Sequence, residues 1–100
     1  MESESPLLFA ADHPALPGHF PGVPIVPGVL LLDAAVHALE SRGATVTGVA
    51  SAKFLLPVRP GQPLQLACDT ASAGRAAFEI HRAGERVASG QLLLAPRAEP

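Results

Sequence analysis

The segment 18–35, GHFPGVPIVPGVLLLDAA, places the tightest constraint on how this chain folds. Glycines and prolines recur through its first half, which predicts a stiff loop, and its second half is an aliphatic run interrupted by Asp33. Pro27 suits a first helical position because the N–H that proline lacks would have no partner there. We therefore expect a helix over about 27–41, entered from a loop that carries His19.

The predicted helix is apolar nearly all round, which is typical of a helix that the rest of the protein covers. Gly43 suits its C-terminal cap, residues 1–6 read as a frayed end, and 12–24 reads as a loop. Period-two alternation and turn residues predict strands at 7–11, 45–58, 64–70, 76–82 and 87–95, with turns at 59–62, 72–75 and 83–85. One buried helix against an antiparallel sheet of four or five strands is an α+β fold, which we expect to occupy residues 1–100 as a single domain.

Composition narrows the classes of function. Hydrophobic residues make up 48% of the chain and charged residues 16%, a balance that favours an oligomer. The net charge of −2 argues against nucleic acid. The acidic start MESESP does not resemble a signal peptide, and the apolar runs are too short to span a membrane. We therefore expect a soluble cytoplasmic protein with no membrane span.

Two polar side chains in the apolar segment indicate acid–base chemistry. Asp33 and His37 lie one helical turn apart, and burial of Asp33 among leucines would raise the pKa of its carboxyl and make it a proton donor near neutral pH. His19 titrates in the range that suits a base, and the first helical N–H groups, at Gly28 and Val29, are placed to polarise a carbonyl oxygen. A plainer interpretation also fits, in which His19 braces the loop and Asp33 caps loop N–H groups.

The same segment resembles the signature of the (3R)-hydroxyacyl-acyl-carrier-protein dehydratases of fatty-acid synthesis. The resemblance rests on HFPG, on PI.PGV.L after it, and on a carboxylate 14 positions after the histidine. It continues through AKFLLPVRPGQPLQL at 52–66, similar to the "KF…PV.PGD.L" segment of that family. It implies the hotdog fold, in which a long helix is wrapped by an antiparallel sheet.

The resemblance also implies a role for each matching residue. His19 takes the place of the histidine that removes the α-proton of a 3-hydroxyacyl thioester, and Asp33 that of the carboxylate that helps the hydroxyl leave as water. Gly28 matches the glycine whose backbone N–H binds the thioester carbonyl. In that family the histidine and the carboxylate of one site come from two subunits of a dimer. The implied partner is acyl carrier protein, whose phosphopantetheine arm arrives with the substrate, and no metal or organic cofactor is expected.

Two departures from the family pattern keep other interpretations open. Asp33 stands where Glu is commoner, and the chain is shorter than a typical member, like the accessory dehydratases of aryl-polyene and pigment clusters. We make no prediction that it also isomerises the product. The expected oligomer is a homodimer or a heterodimer with another hotdog subunit. The alternative functions are a non-catalytic hotdog subunit that pairs with an active dehydratase and a hotdog acyl thioesterase that uses water as nucleophile.

The other polar residues have simpler interpretations. His37 fits a helix-face or interface histidine, and Cys68 fits a small core residue on an inward strand position. No recognised zinc-ligand spacing joins the histidines and Cys68, so no metal site is predicted. Lys53 and Arg59 fit either a solvated face or a contact with an acidic carrier protein.

Overall fold

One helix and five strands make up the part of the protein that the computed structural model describes, residues 3–9, 25–70 and 74–96. In chain order the elements are β1 (Ser3–Leu7), α1 (Gly28–Glu40), β2 (Val46–Phe54), β3 (Leu64–Asp69), β4 (Arg75–Arg82) and β5 (Glu85–Leu94). The strands form one antiparallel sheet in the order β1-β3-β4-β5-β2. The α+β class expected from the sequence is confirmed.

One face of the sheet is buried, and the alternation of apolar and polar residues in the strands indicates which face it is. Phe78 and Ile80 on β4 are buried, as the alternation in the sequence predicts, and so are Leu66 and Cys68 on β3. Apolar side chains on one face of a sheet must be covered, and α1 lies against this face. The buried cluster comprises Phe9, Val26, Leu31, Ala35, Leu39, Val58, Leu64, Leu66, Cys68, Ala76, Phe78, Ile80, Val87, Ala88 and Leu92.

The hairpin between β4 and β5 turns through two residues. Arg82 pairs with Glu85, and the residues between them, Ala83 and Gly84, have φ of 50° and 85°. Positive φ at both central positions is the mark of a type I′ turn, whose twist matches that of the strands. The turn predicted at 83–85 is confirmed, although its first residue is an alanine.

The helix is buried along one ridge only, so the expectation of a helix covered all round is wrong for the single chain. Leu31, Ala35 and Leu39 are at most 2% exposed, whereas Val29, Asp33 and His37 are exposed. Each set repeats every four residues, and the two sets lie on opposite sides of a helix of 3.6 residues per turn. The sheet covers the first ridge and leaves the second uncovered.

Several predicted boundaries shift. The first strand covers Ser3–Leu7 instead of the predicted 7–11, and the prediction of a frayed end is wrong for residues 3–6. These residues are ordered by pairing with β3, from Ser3 opposite Cys68 to Leu7 opposite Leu64. Its proline, Pro6, is tolerated because β1 is an edge strand. Pro27 is the N-cap and α1 begins one residue later. The predicted loop at 12–24 and the start of the turn at 72–75 lie outside the described residues.

Candidate active site

The first turn of α1 presents backbone N–H groups. The first N–H groups of a helix have no acceptor inside it. Leu30 N–H donates to the carbonyl of Pro27 at 3.0 Å, but no acceptor among the described residues bonds the N–H of Gly28 or Val29. Pro27 supplies no side-chain cap. Both predicted oxyanion donors therefore sit at the start of α1 with unused hydrogen-bonding capacity.

Asp33 is exposed, which corrects the expectation that the chain buries it. It lies on the ridge opposite the buried Leu31 and Ala35, whereas Leu30 and Leu32 beside it are half-buried. The same ridge carries Val29 one turn before Asp33 and His37 one turn after it. The predicted shared face of Asp33 and His37 is confirmed, and it is a solvent-facing one in the single chain.

An apolar surface lies beside this ridge. Phe54, at the end of β2, packs on the start of α1: its ring atoms lie 3.1 Å from the position that a Cβ on Gly28 would occupy. Val29, Phe54, Leu55 and Leu56 are 66%, 48%, 46% and 37% exposed, and we call these four residues the apolar rim. Exposed apolar side chains that adjoin one another mark a contact surface more often than isolated ones do.

Among the described strands, none pairs with the outer edge of the sheet next to the rim. β2 pairs with β5 on one side and is the last strand in the sheet order. An edge strand presents unpaired N–H and C=O groups to whatever approaches it. The apolar rim and the β2 edge thus form one continuous region that a second polypeptide can cover.

The turn predicted at 59–62 is confirmed and adjoins the same helix end. Gly61 has φ of 85° after Pro60, and Gln62 N–H donates to the Arg59 carbonyl at 3.3 Å, as in a type II turn. Lys53 and Arg59 are exposed and make no ion pair within the described part of the chain. The contribution of Phe54 was missed from the sequence, although it lies in the KF segment that carries the resemblance.

His19 lies outside the described residues, so its predicted role stays a prediction. Cys68 is buried in the core as expected, and burial raises the pKa of its thiol, while the charge of Arg42 acts the other way. Across the described ranges no group of three His, Cys, Asp or Glu side chains is placed to hold a metal ion. No helix in those ranges is long and apolar enough to cross a membrane.

Comparison with known proteins identifies the family. The model of the ApeI-like family, described as ApeI dehydratase, matches residues 2–91. The chain belongs to the ApeI-like family. This ApeI-like chain is also similar to the 3-hydroxyacyl-[acyl-carrier-protein] dehydratase FabZ of Syntrophotalea carbinolica. The two sequences are 34% identical in an alignment that covers 88% of this chain and 71% of that relative. The dehydratase resemblance is confirmed.

Other relatives agree in fold and differ in length. The FabZ of Chlamydia trachomatis serovar L2 is 34% identical in an alignment that covers 81% of this chain and 63% of that protein. The ApeI-like chain therefore spans less than two thirds of this relative. The dehydratase heterocomplex ApeI:P from Xenorhabdus doucetiae contains a chain that superposes with a TM-score of 0.80 at 24% identity, over 92% of this chain and 85% of that one. The hotdog fold implied by the resemblance is confirmed.

Proposed function

We propose that this ApeI-like chain dehydrates a (3R)-3-hydroxyacyl thioester, carried on acyl carrier protein, to the trans-2-enoyl thioester. The observation that carries the proposal is the position of Asp33, an exposed carboxylate on the α1 ridge one turn after Val29, beside a helix start with unused N–H groups. Relatives named 3-hydroxyacyl-[acyl-carrier-protein] dehydratases support the same reaction.

The proposed chemistry needs three groups. His19 takes the proton from the carbon next to the thioester carbonyl, the electrons of that C–H bond form the new C=C bond, and the C–O bond to the hydroxyl breaks. The step requires a proton on Asp33 when the site is complete, and Asp33 gives this proton to the departing hydroxyl, which leaves as water. The N–H groups of Gly28 and Val29 stabilise the charge that develops on the thioester oxygen.

We further propose that a second hotdog subunit completes the site. A catalytic acid works best where water is excluded, and in the single chain Asp33 faces solvent. A subunit laid on the α1 ridge, the apolar rim and the β2 edge would bury Asp33 and supply the His19 that serves it. The ApeI:P structure is of a heterocomplex, which supports pairing with a related hotdog chain. A second copy of this chain is the other subunit that we propose could complete the site.

The remaining parts of the proposal concern the surroundings of the reaction. The phosphopantetheine arm belongs to the substrate, and we propose that the reaction uses no metal or organic cofactor, so excess chelator should leave the rate unchanged. Lys53 and Arg59, exposed near the apolar rim, are proposed to contact the acidic carrier protein. The proposed location is the cytoplasm, which cell fractionation would test.

The first experiment is a dehydration assay with 3-hydroxyacyl carrier proteins of several chain lengths, read by mass spectrometry as loss of water. Asp33→Asn and His19→Ala should each lower the rate by at least about a hundredfold, because a general acid or base contributes that much. Arg75→Met is the control, since Arg75 is exposed on β4 away from the α1 ridge, and it should stay active. Full activity of Asp33→Asn would remove Asp33 from the mechanism.

A mixing experiment tests the shared site. When differently tagged His19→Ala and Asp33→Asn chains exchange subunits, about half the dimers are mixed and each has one intact site of two, giving about a quarter of the wild-type rate. A site contained within one chain would give no recovery.

The same assay distinguishes the alternative functions. Release of free acid would instead identify a thioesterase, and turnover that needs a second hotdog protein would identify a partner-dependent subunit.

A further inference from the structure

The stretch 57–62, which includes the turn at 59–62, binds both ends of the segment that contains His19. The last described residue before that segment is Phe9, whose carbonyl accepts a hydrogen bond from Gly61 N–H at 2.7 Å. After it, Val26 N–H donates to the carbonyl of Val58 at 2.7 Å. Val58 itself is 1% exposed and belongs to the core. The stretch from 58 to 61 therefore sets where this segment leaves the core and where it returns.

The second of these bonds also bears on the oxyanion donors. Val26 lies two residues before Gly28, so its bond to Val58 helps to fix the direction in which the chain enters α1. A hydrogen-bond donor stabilises a transition state only where its N–H is aimed at the developing charge. A displacement of the turn would move Gly28 and both ends of the His19 segment together.

The turn is itself held from the far hairpin. The guanidinium of Arg82, the last residue of β4, donates through Nη1 to the Pro57 carbonyl at 2.6 Å and to Oε1 of Gln62 at 3.1 Å. The same Gln62 oxygen accepts the backbone N–H of Arg59 at 2.9 Å. Arg82 is 21% exposed, and its Nη2 lies 3.5 Å from a carboxylate oxygen of Glu85.

These contacts share one construction. The single Gln62 oxygen accepts two donors, one from Arg59 at the start of the turn and one from Arg82 on β4. A hydrogen bond from a charged guanidinium is stronger than one between neutral groups. Arg82 adds a second bond to the backbone at Pro57. The two bonds from Arg82 therefore hold Pro57 and Gln62 to β4, and the third bond, from Arg59 to Gln62, closes the turn on itself.

We propose that Arg82 and Gln62 are positioning residues of the dehydratase site. They act through the turn at 57–62, which they hold in the place that fixes the Gly28 amide and both ends of the segment bearing His19. Neither side chain touches substrate in this role. The catalytic part of the inference rests on the proposed function, and the structural part does not.

The test compares variants that differ only in these hydrogen bonds. Gln62→Met keeps the shape and removes both acceptor bonds, whereas Gln62→Glu keeps an oxygen for both donors. Arg82→Met removes both donor bonds. Arg75→Met is the matched control, because Arg75 Nη1 also bonds a glutamine, Oε1 of Gln91 at 2.9 Å, on the same strand pair but away from the turn.

The first readout needs no activity. Amide hydrogen exchange of Val26 and Gly61, followed by NMR, should quicken about tenfold or more in Gln62→Met and Arg82→Met, since loss of a charge-assisted bond loosens the turn locally. In Gln62→Glu and Arg75→Met both amides should keep their protection. Unchanged protection of Val26 and Gly61 in Gln62→Met and Arg82→Met would overturn the structural part of the proposal.

The second readout is kinetic. In the carrier-protein assay, Gln62→Met and Arg82→Met should lower kcat about tenfold with KM nearly unchanged, and Gln62→Glu should recover most of kcat. Wild-type kcat in variants whose turn has loosened would overturn the positioning role. If the wild-type protein showed no dehydration at all, the proposed function would fall, and the exchange rates of Val26 and Gly61 would still decide whether Arg82 and Gln62 hold the turn.

Discussion

Gly90→Ala is expected to damage the sheet where β5 meets β2. Gly90 lies on β5 opposite Phe78 of β4 and Ala52 of β2. A Cβ at this position would overlap the carbonyl oxygen of Ser51 and lie 2.7 Å from Cε1 of Phe78 and 3.0 Å from the Cα of Ala52. Two of these neighbours are backbone atoms and the third belongs to a ring that is 1% exposed, so none can yield cheaply.

The expected loss follows from these distances. Overpacking a well-filled interior costs about 1–3 kcal/mol, and the backbone overlap with β2 puts Gly90→Ala at about 3 kcal/mol, the upper end of that range. For a domain of this size such a loss lowers Tm by about 12–24 °C. Since Phe54 at the end of β2 packs on Gly28, the displaced strand should also lower the dehydration rate.

Gly48→Ala is the matched control. Gly48 lies on β2, and a Cβ there would meet only Cδ1 of Leu93 at 3.5 Å, an ordinary contact. Replacing glycine by alanine without strain stabilises a protein by about 0.4–1 kcal/mol through the unfolded state. Gly48→Ala should therefore melt at the wild-type temperature or slightly above it.

The assay is thermal unfolding followed by far-ultraviolet circular dichroism at fixed protein concentration, because the chain has no Trp or Tyr for fluorescence and oligomers melt in a concentration-dependent way. Gly90→Ala and Gly48→Ala are compared with the wild-type protein on the same day and in the same buffer. Equal melting temperatures for Gly90→Ala and wild type would show that β2 and Phe78 do not pack on Gly90 as described.

Two further predictions concern the hairpin turn and the buried thiol. Ala83→Asn should raise Tm by a few degrees and Ala83→Val should lower it, because Ala83 has a φ of 50° that costs a non-glycine residue about 1 kcal/mol and that asparagine tolerates better; the opposite order in a melting series would contradict the turn type. Cys68 should resist thiol reagents until the protein unfolds. Burial raises the pKa of its thiol, so as the pH rises the unfolded chain loses the thiol proton before the folded protein does. The stability present at neutral pH is therefore lost as the pH rises above the ordinary thiol pKa. Denaturant titrations of Cys68→Ala should lack this alkaline loss, and an equal loss in both proteins would assign it to other groups.

Local sequence signals were enough to find β3, β4, β5 and the turns at 59–62 and 83–85, but they misplaced the first strand. The alternation at Leu66 and Cys68, and again at Phe78 and Ile80, predicts which side chains are buried because a strand has only two faces. Pro60-Gly61 predicts a type II turn because each residue has the φ preference of its position. These signals depend only on residues that are near in the sequence, so the rest of the fold does not change what they predict.

The site depends on contacts that the sequence does not display. The exposure of Asp33 follows from which ridge of α1 the sheet covers. The spacing of Asp33 and His37 marked one ridge as the more polar, but the apolar residues on the other sides of the helix led to the expectation that all of it is buried. The bonds from Arg82 to the turn join residues 20 and 25 positions apart. Gly90 looks like any strand glycine until the register places it against Ser51 and Phe78.

The open β2 edge also has a consequence for the chain before it is assembled. Val49 and Phe54 are exposed on this strand, Leu55 and Leu56 follow them, and Lys53 is the one charged residue between Val46 and Phe54. Charged residues on an edge strand, lysines above all, hinder its pairing with the edge strands of other molecules. In β2, Lys53 is the one such residue in a strand of nine. If the proposed second subunit covers this edge, a copy made without it is prone to aggregation and to clearance by the cell's quality control. The yield of the chain in the cell should then follow the supply of that proposed subunit.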